Sequence, residues 1–364
     1  MKLTEVLEYF EQIAPGVLQE NYDNSGLQLG SPSQEVSRAL ICIDVTPEVI
    51  HEAVSKQCDL IIAHHPLIFK GLKSITGKRF TERVIIEAIK HNIAIVALHT
   101  NLDNIHGGVN HKLGEKLGLC NLRVLMPQKG LLRKLVTFCP LTHAEVVRAA
   151  IFEAGAGQIG QYDCCSFNIE GKGTFRAGAE ANPFVGKKNE VHFEPEVRIE
   201  TILPSYLEKR VVSAIIKSHP YQEVAYDVYP LENEFAMAGA GMLGELKILI
   251  SENDFLDLLK VKLKMPCIRH TAFTGQAIKK VALCGGSGSF LIESAIAAGA
   301  QVFVTGDIKY HQFFEAENRI LLADAGHYET EQFTKELLYE VVNKKFTTFA
   351  LLISGVNTNP VNYF

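Results

Sequence analysis

The sequence predicts an α/β protein, with parallel-sheet-rich α/β pieces toward both ends of the chain and a compact α+β module between them. Three observations carry this. Runs of Ile, Val, Leu and Ala without polar alternation, at 39–45, 60–63 and 93–98, read as strands buried on both faces. Helical patterns separate them, as the crossovers of a parallel sheet require. The middle of the chain instead reads β-α-β-β-α-β, the order of a ferredoxin-like split β-α-β unit.

At 364 residues the chain is long enough for two or three domains. Val6, Leu7, Phe10 and Ile13 fall at helical spacing behind Thr4, the expected cap, and Pro15 stops the helix. Residues 21–30 are polar and punctuated by glycine, and by composition they read as a turn. The strand at 39–45 leads into a helix with Thr46 as N-cap and Pro47 at its first position. A strand at 60–63, a helix at 80–90, a strand at 93–98 and a helix beyond Gly107-Gly108 complete the first region. In the middle, strands at 135–139, 166–170 with 173–175, 191–202 and 225–229 accompany a helix capped by Thr142 and another over 207–218. His219, in the turn before the last of these strands, reads as structural. Strands at 280–284, 301–304 and 320–323 then resume the parallel pattern. The run Gly285-Gly286-Ser287-Gly288 is either an anion-receiving loop at a helix start or a tight turn. It lacks the P-loop lysine and the dinucleotide glycine spacing.

Composition narrows the function classes. A formal charge of −5 leaves no electrostatic footprint for nucleic acid or an anionic membrane. No apolar run reaches the roughly 18 residues of a membrane span. The N-terminus opens an acidic amphipathic helix rather than a signal peptide. Eight scattered cysteines without a C-x-x-C pair point to a reducing cytoplasm, where most act as core filler.

Parallel sheets place their sites at the carboxyl ends of strands. There the sequence puts His64-His65-Pro66, then His99 and Asp103. The adjacent histidines are either one buried and one exposed ring, or one ring for each of two neighbouring metals. His99 is either an orienting group or a satisfied strand-end histidine. If a helix begins after Gly326, His327 and Glu331 share a face at i and i+4, while Glu329 points away. Three imidazoles and two carboxylates exceed one four-coordinate zinc with an open position. They suit two divalent metals with Glu331 bridging. Nitrogen and oxygen ligands without thiolate fit Zn, Fe, Mn or Co, and a paired site supports hydrolysis.

Five segments carry a family resemblance: Asp23-Asn24-Ser25-Gly26-Leu27-Gln28, Ala63-His64-His65-Pro66, His99-Thr100-Asn101-Leu102-Asp103, Gly306-Asp307-Ile308-Lys309-Tyr310-His311 and Gly326-His327-Tyr328-Glu329-Thr330-Glu331. In order along nearly the whole chain, they resemble the signatures of the GTP cyclohydrolase I type 2 homologue family, also called NGG-interacting-factor-three-like. Tyr22 departs from it, since many members have tryptophan there. The resemblance implies a discontinuous three-layer α/β domain, residues 1–127 and 237–364, with an inserted ferredoxin-like domain at 128–236. Gly160-Gln161-Tyr162-Asp163 and His219-Pro220-Tyr221-Gln222-Glu223-Val224 give that insertion its likeness to PII and CutA domains. The resemblance also implies a dinuclear centre, with His64 and Asp103 on one metal, His65 and His327 on the other and Glu331 bridging. Zn is the first expectation for both ions, with Fe, Mn, Co or Mg as alternatives. It further implies a homohexamer built as a trimer of dimers. The function expected is metal-dependent hydrolysis of a nucleotide or another small phosphorylated or heterocyclic substrate, with His99, Tyr310 and His311 as candidate acid–base groups. The alternative is a non-catalytic, metal-handling or regulatory assembly whose insertion senses a small molecule or partner.

Overall fold

The unalternating runs of the first region form the interior of a five-stranded sheet. Its order is Gly26–Leu29, Ala94–Ala97, Leu60–Ala63, Arg38–Cys42, Ala350–Ile353. Neighbours are parallel except Gly26–Leu29, which is antiparallel to Ala94–Ala97. Leu60, Ile61, Ile62 and Ala63 are all fully buried, and alternate side chains show why. Leu60 and Ile62 pack with Leu3, Val6 and Phe10 of the helix Leu3–Ile13 and with Leu338 and Val342 of the helix Thr334–Lys345. Ile61 and Ala63 pack with Val49, Ile50 and Ala53 of Pro47–Ser55 and with Val84 and Ala88 of Phe80–Lys90. Full burial of a large aliphatic side chain is worth about 1.5–3 kcal/mol, so strands with no polar face draw helices to both sides. Thr46 caps its helix as the spacing predicts, its Oγ1 accepting from the Val49 N–H at 3.4 Å. Thr4 does not cap the first helix; Lys2 holds that position, and Thr4 Oγ1 donates to the Pro32 carbonyl at 2.7 Å.

The computed structural model describes residues 1–363, and the chain divides into two units. Met1–Pro127 joins the chain from Met237 onward in one; Gln128–Ala236 is the other. The first unit holds a second, six-stranded sheet in the order Arg269–His270, Leu321–Asp324, Val302–Gly306, Ile278–Ser287, Phe235–Ile250, Cys120–Gln128. Its three central strands are parallel, with Arg269–His270 and Phe235–Ile250 antiparallel beside them. Alternate residues again feed two cores, Val281, Val302 and Leu321 on one side and Ala282, Phe303 and Leu322 on the other.

Sequence reading assigns no element to 237–279, yet the strand Phe235–Ile250 and the helix Glu252–Leu263 lie there. Glycines at 239, 241 and 244 break the strand's apolar pattern. Gly239 has φ +151°, and a Cβ on it would overlap the Met126 carbonyl, so glycine lets the neighbouring strand approach. Among the described residues no helix is long and apolar enough to cross a membrane. All eight cysteines are free, with Cys42, Cys58, Cys139 and Cys284 buried.

The second unit is one antiparallel sheet with two helices. Its strands run in the order Ser166–Arg176, Val191–Pro204, Leu132–Pro140, Tyr226–Leu231. The helices Ala144–Glu153 and Glu208–Ser218 supply Val147, Ile151, Val211 and Ile215 to a core with Leu135, Cys139, Val197 and Ile199. The two pieces read at 166–170 and 173–175 are one continuous strand. Thr142 does not cap the first helix; it lies in a short 3-10 turn, Leu141–His143, that leads into it.

Candidate metal centre

Register brings the strand ends of the first sheet level. Cys42 pairs with Ala63 and Ala63 with Ala97, so His64, His65 and His99 emerge along one edge. Each ring, and that of His327, is held by its Nδ1. His64 Nδ1 lies 2.8 Å from the Leu98 carbonyl, and His65 Nδ1 lies 2.7 Å from Asp44 Oδ1. His99 Nδ1 is 2.7 Å from Asp23 Oδ1, and His327 Nδ1 is 2.7 Å from Asp307 Oδ2. Acceptors at all four positions keep a proton on Nδ1 and turn Nε2 toward the centre, so that Nε2 is the atom that ligates a metal once it has given up any proton of its own.

Glu331 sits among these nitrogens. The helix His327–Glu331 starts after Gly326, and His327 Nε2 lies 3.1 Å from Glu331 Oε2. His65 Nε2 is 3.0 Å from the same oxygen and 3.4 Å from His327 Nε2. Oε1 faces the other way, 3.7 Å from His64 Nε2, which is itself 3.6 Å from Asp103 Oδ1. His64 Nε2 and Asp103 Oδ1 are buried and, among the described residues, have no hydrogen-bond partner. Leaving such a group unsatisfied costs roughly 1–3 kcal/mol, which a cation between them would recover. Two ligand clusters therefore overlap on Glu331: His65, His327 and Glu331, and His64, Asp103 and Glu331. His64, His65 and His99 make a third.

Electrostatics match a site built for positive charge. Burial opposes charge on His65, but hydrogen bonds and charges from Asp44 and Glu331 outweigh it and push its pKa up to about 10. His327 is also disfavoured by burial, yet Glu331 and Asp307 raise it to about 9. Burial lowers His64 and, with the nearby Glu331 charge, holds Asp103 well above the usual carboxylate range. Glu331 is held well below that range: burial works against its charge, and hydrogen bonds from the surrounding histidines prevail.

His64, His65, Asp103, His327 and Glu331, inferred from strand ends and helical spacing, thus converge in space. Glu329 points away, its carboxylate accepting from Asn359 Nδ2 at 2.9 Å. His99 lines the cavity of about 490 Å3 over the centre. Tyr310 and His311 do not; Tyr310 is 71% exposed and lines a different cavity, with the exposed His311 against its ring at 5.2 Å. Of the three acid–base candidates, only His99 stands at the centre.

The glycine run is not an anion cradle. Its N–H groups are spent inside the protein, Gly285 on Asn110 Oδ1, Gly286 on Thr330 Oγ1 and Gly288 on Thr305 Oγ1. Nor is the loop at 21–30 only a turn. It carries a short strand and Asp23, whose pKa is held low because hydrogen bonds from His99 and Thr100 overcome its burial. Asp23 and Asp307 stand in the family-like segments without an assigned role, and sequence reading missed Asp44 and Thr358, whose Oγ1 donates to Asp44 Oδ2 at 2.6 Å. The strand-end rule that finds Asp103 also reaches Asp44 and Asp307, which follow the strands Arg38–Cys42 and Val302–Gly306. Asp307 adopts φ +56°, a left-handed conformation uncommon for aspartate, at the position that holds His327.

Two sheets that bring together four oriented imidazoles, the buried Glu331 and the partly buried Asp103 define an α/β protein with a centre able to hold a metal ion. Residues 1–360 match the family model described as Duf34/NIF3 (NGG1p interacting factor 3). The chain belongs to this family. It is 40% identical over 369 residues to the Bacillus subtilis (strain 168) protein named "GTP cyclohydrolase 1 type 2 homolog", covering 99% of this chain and 98% of the relative. A Halalkalibacterium halodurans protein of the same name is 39% identical over 363 residues, with 98% of each covered. Among solved structures, the Bacillus cereus protein related to NIF3 superposes with a TM-score of 0.88 at 38% identity, covering 100% of this chain and 99% of that one.

Proposed function

We propose that the centre holds two divalent cations, zinc first, and that the protein is a metal-dependent hydrolase acting on a nucleotide or another small phosphorylated or heterocyclic substrate. The observation that carries this is the buried pair His64 Nε2 and Asp103 Oδ1, facing each other at 3.6 Å and, among the described residues, without a hydrogen-bond partner. His64, Asp103 and Glu331 Oε1 would hold one cation; His65, His327 and Glu331 Oε2 the other, with Glu331 bridging. Bound there, a cation pair supplies Lewis-acid polarisation of a phosphoryl, carbonyl or ring-carbon electrophile.

The chain's own residues do the rest. Asp44, Asp307 and the Leu98 carbonyl fix the ligand rings. Asp23 holds His99 in the tautomer whose Nε2 can take a proton, and we assign His99 the acid–base role. The cavity lining includes Glu20, Asp44, Asp103 and Glu331 but neither Lys nor Arg. A phosphate group bound there would therefore be neutralised by the cations themselves. Metal analysis of the purified protein should find two equivalents per chain. The loaded protein should hydrolyse a member of a nucleotide and phosphoester panel, and His65→Ala should abolish the activity. Activity unchanged by that substitution would sink the reading.

We further propose that 128–236 is an inserted ferredoxin-like, PII/CutA-like domain within a discontinuous α/β domain. Its β-α-β-β-α-β order and wholly antiparallel sheet support this. The exposed Phe167, Ile169 and Tyr229 on its sheet favour self-assembly, read as a cytoplasmic homohexamer, a trimer of dimers. Light scattering that returns a monomer would remove this part. The cavity within the second unit favours a second reading, a non-catalytic assembly in which that unit senses a small molecule.

A further inference from the structure

A cavity of about 500 Å3 lies in the unit Gln128–Ala236 and shares no residue with the histidine–carboxylate centre. Phe138 of the strand Leu132–Pro140, Phe175 of Ser166–Arg176, Phe184 and Tyr221 wall it. The Phe175 and Phe184 rings stand 6.1 and 6.3 Å from that of Tyr221, at 56° and 50°, so three rings tilt around one space. Glu196 brings a carboxylate into this wall.

Among the described residues that carboxylate has no ion-pair partner. On the strand Val191–Pro204, Glu194 pairs with His192, and Glu200 takes both Lys134 and Arg198. Among the described residues Glu196 accepts only from the Tyr221 hydroxyl, at 2.8 Å. Room for it is made by Gly173, where a Cβ would overlap Glu196 Oε2. The one cationic side chain in the lining, Arg176, is solvent-exposed, and Glu223 adds a second carboxylate. An anion would face Glu196 unaided. A neutral ligand would leave the carboxylate without its complement. The Arg198 guanidinium already stands 5.7 Å from the Phe138 ring centroid, and a cation in the cavity satisfies both the Glu196 carboxylate and the negative faces of Phe175, Phe184 and Tyr221.

We infer that this cavity binds a small organic cation, an alkylammonium group seated among Phe138, Phe175, Phe184 and Tyr221 with Glu196 as its counter-charge. The test is calorimetric titration of the full chain at constant ionic strength with choline and with 3,3-dimethylbutan-1-ol, its neutral isostere. Choline should bind saturably, and the alcohol should bind about tenfold more weakly or not at all, the scale expected for desolvated cation–π contacts. Glu196→Gln and Phe175→Leu should each weaken choline binding by a similar factor. Nuclear Overhauser effects from the choline N-methyl protons to Phe and Tyr ring protons should appear in the unsubstituted protein, which keeps the test valid if a variant misfolds. Equal binding of the alcohol, unchanged binding by a folded Glu196→Gln, or absence of both saturation and ring contacts overturns the inference.

Discussion

Gly286→Ala is the most direct probe of how the backbone shapes the centre. Gly286 has φ +60°, a region that costs an L-residue roughly 1–2 kcal/mol. The added methyl would also overlap Glu331 Oε1 and lie 3.2 Å from His327 Cε1. Glu331 is 3% exposed and held by His65 at 3.0 Å and His327 at 3.1 Å, so it cannot swing into solvent. Displacing it leaves buried polar groups poorly paired, adding about 1–3 kcal/mol. The expected destabilisation of the metal-free protein is therefore about 2–5 kcal/mol. Zinc affinity should fall on the order of 10–100-fold, as when the surroundings of a metal ligand are disturbed. Gly285→Ala is the milder comparison, because its φ is not positive and its nearest neighbours, Glu331 Cγ at 3.3 Å and Val109 Cγ1 at 3.4 Å, are met at the edge of ordinary contact and leave the Glu331 carboxylate where it is. Urea unfolding followed by circular dichroism and zinc competition against a chelator measure the two effects. If both alanine variants bind zinc as the unsubstituted protein does, the placement of Glu331 against this backbone is wrong.

Asp44→Asn should weaken zinc binding roughly 10–100-fold by loosening His65, and Thr358→Val, one contact further out, should weaken it less; chelator competition in which Asp44→Asn matches the parent would refute the orienting role. With His65 titrating at about 10 and His327 at about 9 in the metal-free protein, both are protonated at neutral pH, so metal binding must release protons and affinity must rise with pH until about 10. Calorimetry in two buffers of different ionisation enthalpy reads that release directly, and a zero difference contradicts it. His219 is buried, with Nε2 2.9 Å from the Phe138 carbonyl and Nδ1 accepting from Tyr221 N–H at 3.1 Å, and burial lowers its pKa. The unfolded chain then binds the extra proton first, so stability should hold above a pH of about 6.5 and fall as pH drops below it. His219→Gln should flatten that decline in the urea midpoint; an identical slope rejects the assignment.

Sequence alone determined which segments are buried and which residue types stand at their ends. Unalternating runs such as Leu60–Ala63 have no polar face, so covered strands and flanking helices follow from hydrophobicity without knowledge of neighbours. His327 and Glu331 share a face because helical periodicity is local. The strand Phe235–Ile250 was hidden because its glycines serve contacts with another strand, and local pattern does not encode those.

Only tertiary structure decided how the centre is built. His65 and Glu331 meet at 3.0 Å across 266 residues of chain, and that distance follows from how both strand edges pack. The same packing set Asp23, Asp44, Asp307 and the Leu98 carbonyl behind the rings, orienting the four histidines so that Nε2 faces the centre. It left Tyr310 and His311 outside, although Asp307 of the same segment holds the His327 ring. A one-dimensional pattern specifies what a segment buries. Which side chains converge depends on the registers and crossovers that many distant contacts settle together.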